Sequence, residues 1–314
     1  MFGPDQYARM KDGVILVNAA RGGIFDEKSL ADFLAAGKIG AVGIDVHESE
    51  PCTDSPLREF DNAILTPHIA ASTQEAQLRA GVQTAEYVAA GLEGSIVPTA
   101  LNMAPVPPEV MDAVGPYVPA CQMMGSMLAQ IDGEIPQFLK LTTAGALAHA
   151  DASILVAGTL KGILSYQSTA TVTPVNADAV AKRHGIKVET LSSPDAGGYA
   201  STVSVVADGT EVACTLAGEA QAARLVSLFG YQLDIAPAGQ SLVFEYVDAP
   251  GRVGAIGTIL GEAGINITTM QIGTKPAEQC ALVYMNVEGD VDDDVLSKLR
   301  AGLGDLKNLW YVKL

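Results

Sequence analysis

Three short apolar runs near the amino terminus are each followed by a polar residue, and this order constrains the fold more than any other feature. The runs, which suit buried strands, cover residues 14–17, 41–46 and 63–65. The polar residues that follow them are Arg21, Glu50 and His68. Helical patterns alternate with the runs, as in an open parallel α/β sheet. Residues just past the carboxyl ends of such strands line the ligand crevice, so we expect these three side chains in one site.

An arginine, a carboxylate and a histidine in one crevice suit the oxidation of an α-hydroxy acid or the reverse reduction. Arginine grips a carboxylate with two parallel hydrogen bonds. Histidine gives and takes a proton near neutral pH, and a neighbouring carboxylate favours its charged form. Taken singly, Arg21 could be a surface anchor and His68 a packing residue. Their order, spacing and flanking Gly and Pro residues favour the catalytic interpretation.

The motifs around these residues resemble those of the D-2-hydroxyacid dehydrogenases. Three stand in that family's order, namely Asn18-Ala19-Ala20-Arg21-Gly22, Asp45-Val46-His47-Glu48-Ser49-Glu50-Pro51 and Thr66-Pro67-His68-Ile69. The tracts at residues 50–57 and 71–77 look like the branch of the family that acts on 3-phosphoglycerate. The resemblance covers nearly the whole chain but only the carboxyl-terminal part of the family's length.

The resemblance implies NAD as cofactor and a role for each site residue. Arg21 would bind the substrate carboxylate, His68 would be the acid/base and Glu50 its partner. The residues that would contact the cofactor are Ala19, Ala20, Arg21, Asp45, His68, Ala70 and Ala71. Two positions depart from the family pattern, because His47 replaces a usual aromatic residue and Ala70 a usual glycine. The Ala70 methyl group would crowd a cofactor lying against this loop, whereas His47 is better interpreted as a spacer than as a base.

The sequence lacks the glycine-rich phosphate loop of this family. Family members bind the cofactor pyrophosphate with Gly-x-Gly-x-x-Gly between a strand and a helix, and no such loop precedes Arg21. We therefore interpret residues 1–104 as the carboxyl-terminal half of an NAD-binding domain. On this interpretation the chain is a fragment, or a partner chain supplies the rest, and the chain alone would have no dehydrogenase activity.

Composition favours a soluble protein of two or three domains. The 314 residues contain no apolar run of membrane-spanning length. Thirty-six acidic and 19 basic residues give a net charge of −17, which argues against a nucleic-acid partner. Four widely separated cysteines indicate reduced thiols in the cytoplasm. With four histidines and no Cys-x-x-Cys pair, a metal site is not expected.

A Pro-rich connection at residues 98–108 and a helical pattern at 109–131 follow. We assign residues 105–133 to a linker and to a helix that faces a largely absent substrate domain. The apolar residues of this helix should then be partly exposed or paired with another chain, namely Val114, Val118, Met124 and Leu128.

Residues 134–239 have an α+β pattern and no catalytic constellation. We predict strands at 138–142, 187–190, 202–207 and 211–216, and helices at 148–164 and 177–184. The region resembles the intervening regulatory domain of longer members of the same branch, in which it is linked to allosteric anion or substrate binding. A structural spacer explains the sequence equally well.

Residues 240–314 have a βαββαβ pattern, the ferredoxin-like arrangement. The run Asp248-x-Pro250-Gly251-x-Val253, followed by Gly264-Ile265-Asn266-Ile267, resembles the ACT domain, a module that binds amino acids between paired copies. Tyr246, Asp248 and Asn266 would then bind L-serine. The alternative is that Asp248 caps a helix and Asn266 serves a turn.

These patterns predict a partial doubly wound, Rossmann-like parallel sheet, then an α+β regulatory domain and a ferredoxin-like ACT domain. The resemblance implies part of an NAD-dependent oxidoreductase that converts 3-phosphoglycerate to 3-phosphohydroxypyruvate in L-serine biosynthesis. L-serine would act as a feedback effector, and homo-oligomers would form through the ACT and intervening domains. Two alternatives stay open, a non-enzymatic serine-sensing protein and a dehydrogenase for another D-2-hydroxy acid. The terminal module argues against the second, because simple hydroxyacid dehydrogenases lack one.

Overall fold

The computed structural model describes residues 1–93, 97, 99–102, 107–168 and 171–314. The chain divides into an amino-terminal unit, Met1–Ala90, and a carboxyl-terminal unit, Gly91–Leu314. A three-stranded parallel sheet of order β1-β2-β3 forms the first unit, as the apolar runs predict. Its elements, with a helix that ends just beyond it, are α1 (Pro4–Ala8), β1 (Val14–Asn18), α2 (Glu27–Ala35), β2 (Ile39–Ile44), β3 (Ala63–Leu65) and α3 (Gln74–Leu92).

Capping side chains fix where the helices of the first unit begin. The Asp26 carboxylate accepts a hydrogen bond from the Ser29 amide at the start of α2. Before α3, Ser72 and Glu75 have the spacing of a capping box. The hydroxyl that accepts from the Ala76 amide nevertheless belongs to Thr73, at 3.1 Å, one residue after Ser72.

The carboxyl-terminal unit contains two sheets. A six-stranded sheet has the order β5-β4-β6-β7-β8-β9, and a four-stranded sheet has the order β11-β12-β10-β13. The elements are α4 (Pro108–Val114), α5 (Val118–Asp132), β4 (Phe138–Gly145), α6 (Ser153–Gln167), α7 (Ala177–Arg183), β5 (Lys187–Ser193), β6 (Ser201–Ala207), β7 (Thr210–Ala217), β8 (Ala222–Leu228), β9 (Tyr231–Ile235), β10 (Gln240–Val247), α8 (Arg252–Glu262), β11 (Asn266–Lys275), β12 (Cys280–Glu288), α9 (Asp293–Gly302) and β13 (Leu306–Lys313).

The six-stranded sheet contains the predicted strands and two that the sequence did not indicate. Only β4 and β5 are parallel, and the other neighbours are antiparallel. A hairpin turn joins β6 and β7, with Asp208 and Gly209 both at positive φ. The additional strands are β8 and β9. Helix α6 begins five residues later than predicted, because the chain after β4 first turns through a hydrogen bond from the Ala148 amide to the Gly145 carbonyl.

The expectation of partial exposure in the helix at residues 109–131 is wrong for Val114, Met124 and Leu128, whereas Val118 is partly exposed. A 3-10 turn at Gly115–Tyr117 divides it into α4 and α5. Val114, Met124 and Leu128 are at most 1% exposed within the main core, and Val118 packs against that core. The physical reason is α6, which packs along α5. A side chain at Gly125 would come within 2.2 Å of the Thr159 carbonyl oxygen.

The four-stranded sheet has the predicted βαββαβ order, with β10 and β12 at its centre. One face packs with α8 and α9 into a core of its own, which includes Phe244, Ile256 and Leu299. The other face contributes Val243 and Tyr284 to the core of the six-stranded sheet. The two sheets therefore share buried side chains within one unit.

Residues 98 and 103–106 of the predicted connection lie outside the described residues, and so does the proposed boundary at 104/105. The other domain boundaries stay predictions. Among the described residues, no helix combines the length and apolar character that crossing a membrane would need.

Candidate functional site

The loop after β1 is shaped by the buried side chain of Asn18. Its Nδ2 donates to the Arg21 carbonyl at 2.9 Å, and its Oδ1 accepts from the Ala20 amide at 3.1 Å. The loop is thereby folded back on the end of its own strand, and Arg21 is exposed at its tip. The guanidinium donates to the Ala20 carbonyl at 2.6 Å. In the sequence, Asn18 stands out only as part of a motif. Its two hydrogen bonds identify it as the residue that positions Arg21.

This loop packs closely against the chain that follows β2. A side chain at Gly22 would place its Cβ 1.9 Å from the His47 carbonyl oxygen, so only glycine fits there. The Asp45 amide also donates to the Asn18 carbonyl, at 2.9 Å. The polar loops that end β1 and β2 are therefore adjacent, as expected for the carboxyl edge of a parallel sheet.

Asp45 holds the loop that carries the histidine. Its Oδ1 accepts from the Thr66 hydroxyl at 2.6 Å and from the Ile69 amide at 2.9 Å, and its Oδ2 accepts from the Ala70 amide at 2.9 Å. These hydrogen bonds, that of Thr66 foremost, lower the pKa of the Asp45 carboxyl below its ordinary value. Both oxygens are thus engaged within the chain, which makes Asp45 a positioning residue for the His68 loop.

Glu50 and His68 form the predicted pair. Glu50 Oε2 lies 2.9 Å from His68 Nδ1, and Glu50 Oε1 accepts from the His47 amide at 3.1 Å. The bond to His68, followed by that from His47, lowers the pKa of the Glu50 carboxyl, which therefore stays ionised. His68 lies in a left-handed backbone conformation with φ of 55°, uncommon for a residue with a Cβ. Its side chain is 43% exposed, so its second ring nitrogen, Nε2, can meet a ligand.

A second, buried carboxylate supports the segment that carries Glu50. Glu27 Oε1 accepts from the Glu48 amide at 3.1 Å, and its Oε2 accepts from the Ser55 hydroxyl at 2.7 Å. Beside it, the buried His47 ring places Nε2 3.0 Å from the Thr66 carbonyl oxygen. The sequence did not single out Glu27 as a site residue. The only available signal was a carboxylate in the first turn of α2, where the helix dipole already explains it.

The pair borders a cleft of about 290 Å³ that is also lined by Cys52 and Arg58. Arg58 donates to the Thr53 carbonyl at 2.6 Å and brings a cation to this cleft. Arg21, predicted to bind the substrate carboxylate, is not among the residues that line it in the described structure. The structure therefore places Glu50 and His68 in direct contact. Arg21 lies on the neighbouring loop, which packs at Gly22 against the chain that leads to Glu50.

Four of the seven residues predicted to contact NAD are small and exposed. Ala19, Ala20, Ala70 and Ala71 all lie at the surface, at the carboxyl ends of β1 and β3. Exposed small side chains beside Asp45 and His68 leave room for a flat ring, so this edge fits the nicotinamide end of the cofactor. In the described residues, no group of three or more His, Cys, Asp or Glu side chains could hold a metal ion.

The three residues predicted to bind serine lie in different environments. Asp248 is exposed after β10, and its amide donates to the Gln279 carbonyl at 2.9 Å. Tyr246 is 1% exposed, within the core beneath the helices, and burial raises its pKa with a further contribution from the Asp248 charge. Asn266 is exposed at the start of β11. The alternative role of Asp248 as a cap is not seen, since the N-cap residue of α8 is Gly251 and no side chain among the described residues caps the helix.

Strand register places Asp248 and Asn266 at opposite ends of the four-stranded sheet. Val247 pairs with Cys280 at one end of β12, and Asn266 pairs with Glu288 at the other. Strand β12 has nine residues, so its ends are roughly 27 Å apart at about 3.4 Å per residue. One copy of the module therefore cannot bind a small amino acid with both side chains.

Comparison with known proteins assigns three parts of the chain to domain families. Residues 1–70 match the NAD binding domain of D-isomer specific 2-hydroxyacid dehydrogenases. Residues 113–229 match the intervening domain of D-3-phosphoglycerate dehydrogenase, and residues 240–304 match the ACT domain. A crystal structure of a glyoxylate reductase from Paecilomyes thermophila is 38% identical over 31% of this chain and 30% of its own, with a TM-score of 0.29.

Curated relatives match along nearly the whole chain. The D-3-phosphoglycerate dehydrogenase of Mycobacterium leprae is 38% identical over 94% of this chain and 57% of its own length. That of Methanocaldococcus jannaschii is 34% identical over 100% of this chain and 60% of its own length. This chain therefore spans somewhat more than half the length of these relatives. The order of the three domain matches and the continuous similarity show that this chain resembles D-3-phosphoglycerate dehydrogenases along nearly its whole length.

Proposed function

We propose that this chain carries the acid/base half of the active site of an NAD-dependent D-3-phosphoglycerate dehydrogenase, with an amino-acid-sensing module at its end. The reaction is the oxidation of 3-phosphoglycerate to 3-phosphohydroxypyruvate in L-serine biosynthesis. The observation that carries this proposal is the 2.9 Å contact between Glu50 and His68 at the carboxyl edge of the parallel sheet. Four free thiols support a place in the cytoplasm.

The geometry of the pair assigns one proton-transfer atom. Glu50 occupies His68 Nδ1, so Nε2 is the nitrogen that takes the proton from the substrate hydroxyl. The ionised Glu50 favours the imidazolium that results, and Asp45 keeps the histidine loop in place. Arg21 grips the substrate carboxylate and polarises the forming carbonyl. Ala19, Ala20, Ala70 and Ala71, at the carboxyl ends of β1 and β3, would hold NAD, which would supply the hydride acceptor.

Replacement of His68 tests this assignment in the full-length protein. We expect His68→Ala to lower kcat by about two orders of magnitude or more, as the loss of a general acid/base does. Glu50→Gln should also lower the rate, because the carboxylate that orients the imidazole through Nδ1 is lost. The exposed His184 provides a matched control, and His184→Ala should be neutral. Turnover of His68→Ala near the parent rate, with an unchanged pH profile, would show that the acid/base assignment is wrong.

We further propose that the ACT-like module binds L-serine between two copies of the chain. Asp248 and Asn266 lie at opposite ends of the sheet, and β11 is an outer strand. Outer strands present unpaired backbone groups that pair with a second strand. An antiparallel pairing of β11 with its copy brings Asn266 of one chain toward the end of the partner's sheet where the Asp248 loop lies. Met270 and Ile272 of β11 are 37% and 39% exposed, which suits such an interface.

Calorimetry with L-serine on the 314-residue chain tests the sensing proposal without any dehydrogenase activity. Asp248→Ala and Asn266→Ala should each weaken binding by at least about tenfold, the scale of one lost hydrogen bond to a charged group. Asn308 is exposed in the same module and bonds Glu245 at 2.8 Å instead. Asn308→Ala should therefore leave L-serine binding unchanged. A folded chain that ignores millimolar L-serine would reduce the module to an assembly element.

A further inference from the structure

A cysteine and a lysine lie in contact at one end of the four-stranded sheet. Cys280 opens β12 and is 1% exposed, and Lys307 lies on β13 with its side chain at the surface. Lys307 Nζ is 2.8 Å from Cys280 Sγ. A thiol and a primary amine at this separation are a nucleophile pair that neither the proposed catalysis nor the proposed effector site uses.

The Lys307 ammonium lies directly against the Cys280 sulfur. The contact with Cys280 raises the pKa of the Lys307 ammonium, with smaller contributions from the charges of Glu245 and Glu278. The Cys280 sulfur also donates to the Glu278 carbonyl at 3.1 Å, so it lies between a carbonyl oxygen and an ammonium. An ammonium beside the sulfur is therefore in place to give up a proton and then act as the amine in a reaction at this cysteine.

We propose that Cys280 and Lys307 form a covalent sulfur–nitrogen crosslink when the protein meets a peroxide. In the first step the Cys280 thiolate attacks one peroxide oxygen, the O–O bond breaks, and sulfenic acid and hydroxide form. The hydroxide takes a proton from the neighbouring Lys307 ammonium and becomes water. The neutral amine then attacks the sulfur, the S–O bond breaks, and a second water leaves with the proton from nitrogen. Overall, thiol, amine and hydrogen peroxide give a sulfenamide and two waters, with sulfur oxidised and peroxide reduced.

The position of the pair gives this modification a structural consequence. Strand β10 runs between β12 and β13, and the loop that follows it is anchored on both sides. The Asp248 amide donates to the Gln279 carbonyl, next to Cys280, and the Val247 amide donates to the Asp305 carbonyl, two residues before Lys307. The crosslink would therefore tie together the two segments that hold the Asp248 loop. Its formation does not depend on whether that loop binds L-serine.

Mass spectrometry of the 314-residue chain after hydrogen peroxide treatment tests the proposal. A Cys52→Ser background removes the partly exposed thiol that would react independently. We expect the intact mass to fall by two hydrogen atoms. Tryptic digestion should yield the Cys280 peptide joined to the Lys307 peptide, with no cleavage after Lys307, and dithiothreitol should restore both separate peptides.

Two lysine variants separate the crosslink from simple thiol oxidation. In Lys307→Gln the sulfenic acid has no amine to condense with, so a 1,3-diketone probe should label Cys280 and the joined peptide should be absent. Lys313→Gln, at the other end of the same strand, should crosslink like the parent. The proposal is overturned if Cys280 in the folded parent stays reduced, or if it gains oxygen without joining Lys307. Matching circular dichroism spectra would exclude unfolding as the cause of any difference.

Discussion

Buried carboxylates organise the candidate active site, although neither of them is placed to react. Asp45 binds two backbone amides of the histidine loop, and Glu27 binds one amide and one hydroxyl of the glutamate segment. Charge-assisted bonds of this kind are stronger than neutral ones. The proposed acid/base pair, Glu50 and His68, is half-exposed by comparison. The positions of Glu50 and His68 therefore depend on carboxylates that would not contact the substrate.

Asp45 gives this arrangement a pH dependence. Its folded pKa lies below the ordinary value of 3.8, so its bonds stabilise the loop fully above that value and are lost as the pH falls through the folded pKa. The protection of the Ile69 and Ala70 amides against hydrogen exchange, corrected for intrinsic rates, should therefore fall below about pH 4. In Asp45→Asn the protection of these two amides should be lower than in the parent at pH 6 and nearly independent of pH.

The exposed Asp61 serves as a control for the Asp45 measurement. Asp61→Asn should behave like the parent, because its side chain lies at the surface. If Asp45→Asn kept the parent's protection and the same fall on acidification, the loop would owe its order to other contacts. Nuclear magnetic resonance between pH 3 and 6 resolves the two amides separately.

Elements of the second unit depend on contacts between residues distant in sequence, and the α5–α6 pair is the clearest example. Gly125 and Gly162 allow the two backbones to approach, since a Cβ at either would lie 2.2 or 2.1 Å from a carbonyl oxygen of the facing helix. Gly125→Ala should destabilise the unit by about 2–3 kcal/mol through overpacking. Denaturant unfolding followed through Trp310 measures this change.

A glycine-to-alanine substitution in another helix should change the free energy of unfolding in the opposite direction. Gly257 lies in the middle of α8, and a Cβ there would meet nothing within 4 Å. Gly257→Ala should stabilise the unit by about 0.5–1 kcal/mol, because alanine is the better helix former. Equal effects of the two substitutions would contradict the close approach of α5 and α6.

Local patterns predicted some elements well and others not at all. Strands β1 and β3 and the βαββαβ order follow from short apolar runs and turn residues, which are local signals. Leu128 was expected to be partly exposed or paired with another chain because a substrate domain was its expected partner. Its actual partner, α6, starts some 25 residues later, and local patterns do not show that contact. Strand β8 was missed because Ala222-Ala223-Arg224 has no alternating apolar pattern. At the site, Glu50 and His68 were recognisable from their motifs, whereas the role of Asn18 becomes visible only through its hydrogen bonds.

At the scale of the whole chain, several contacts hold the ACT-like module, residues 240–314, against α5 and the six-stranded sheet. Gln130 of α5 exchanges two hydrogen bonds of 2.8 Å with the Lys313 backbone. Trp310 stacks on Phe229 with 4.8 Å between ring centroids. Asn286 bonds the connecting segment before β10 through the Ala236 carbonyl. Binding at the module would therefore act on a unit that extends from α5 to the carboxyl terminus.

The pairing of two chains through β11 is the last prediction, and it links assembly to sensing. Met270 lies near the middle of β11 and is 37% exposed, so a two-fold axis that joins opposite ends of two modules passes close to it. Met270→Asp would place two carboxylates together in an apolar contact, which is costly. The dimer dissociation constant should rise by at least about tenfold, and L-serine binding should weaken with it, because each site needs residues from both chains.

Sedimentation and calorimetry on the same samples distinguish this arrangement from independent sites. Leu191 is 45% exposed on β5, an outer strand of the six-stranded sheet. Leu191→Asp should change neither the dimer dissociation constant nor the affinity for L-serine. If Met270→Asp separated the chains and L-serine still bound with the parent's affinity, Asp248 and Asn266 could not share one ligand. Each module would then bind alone, and the distance between the two ends of the sheet would require Asn266 to have another role.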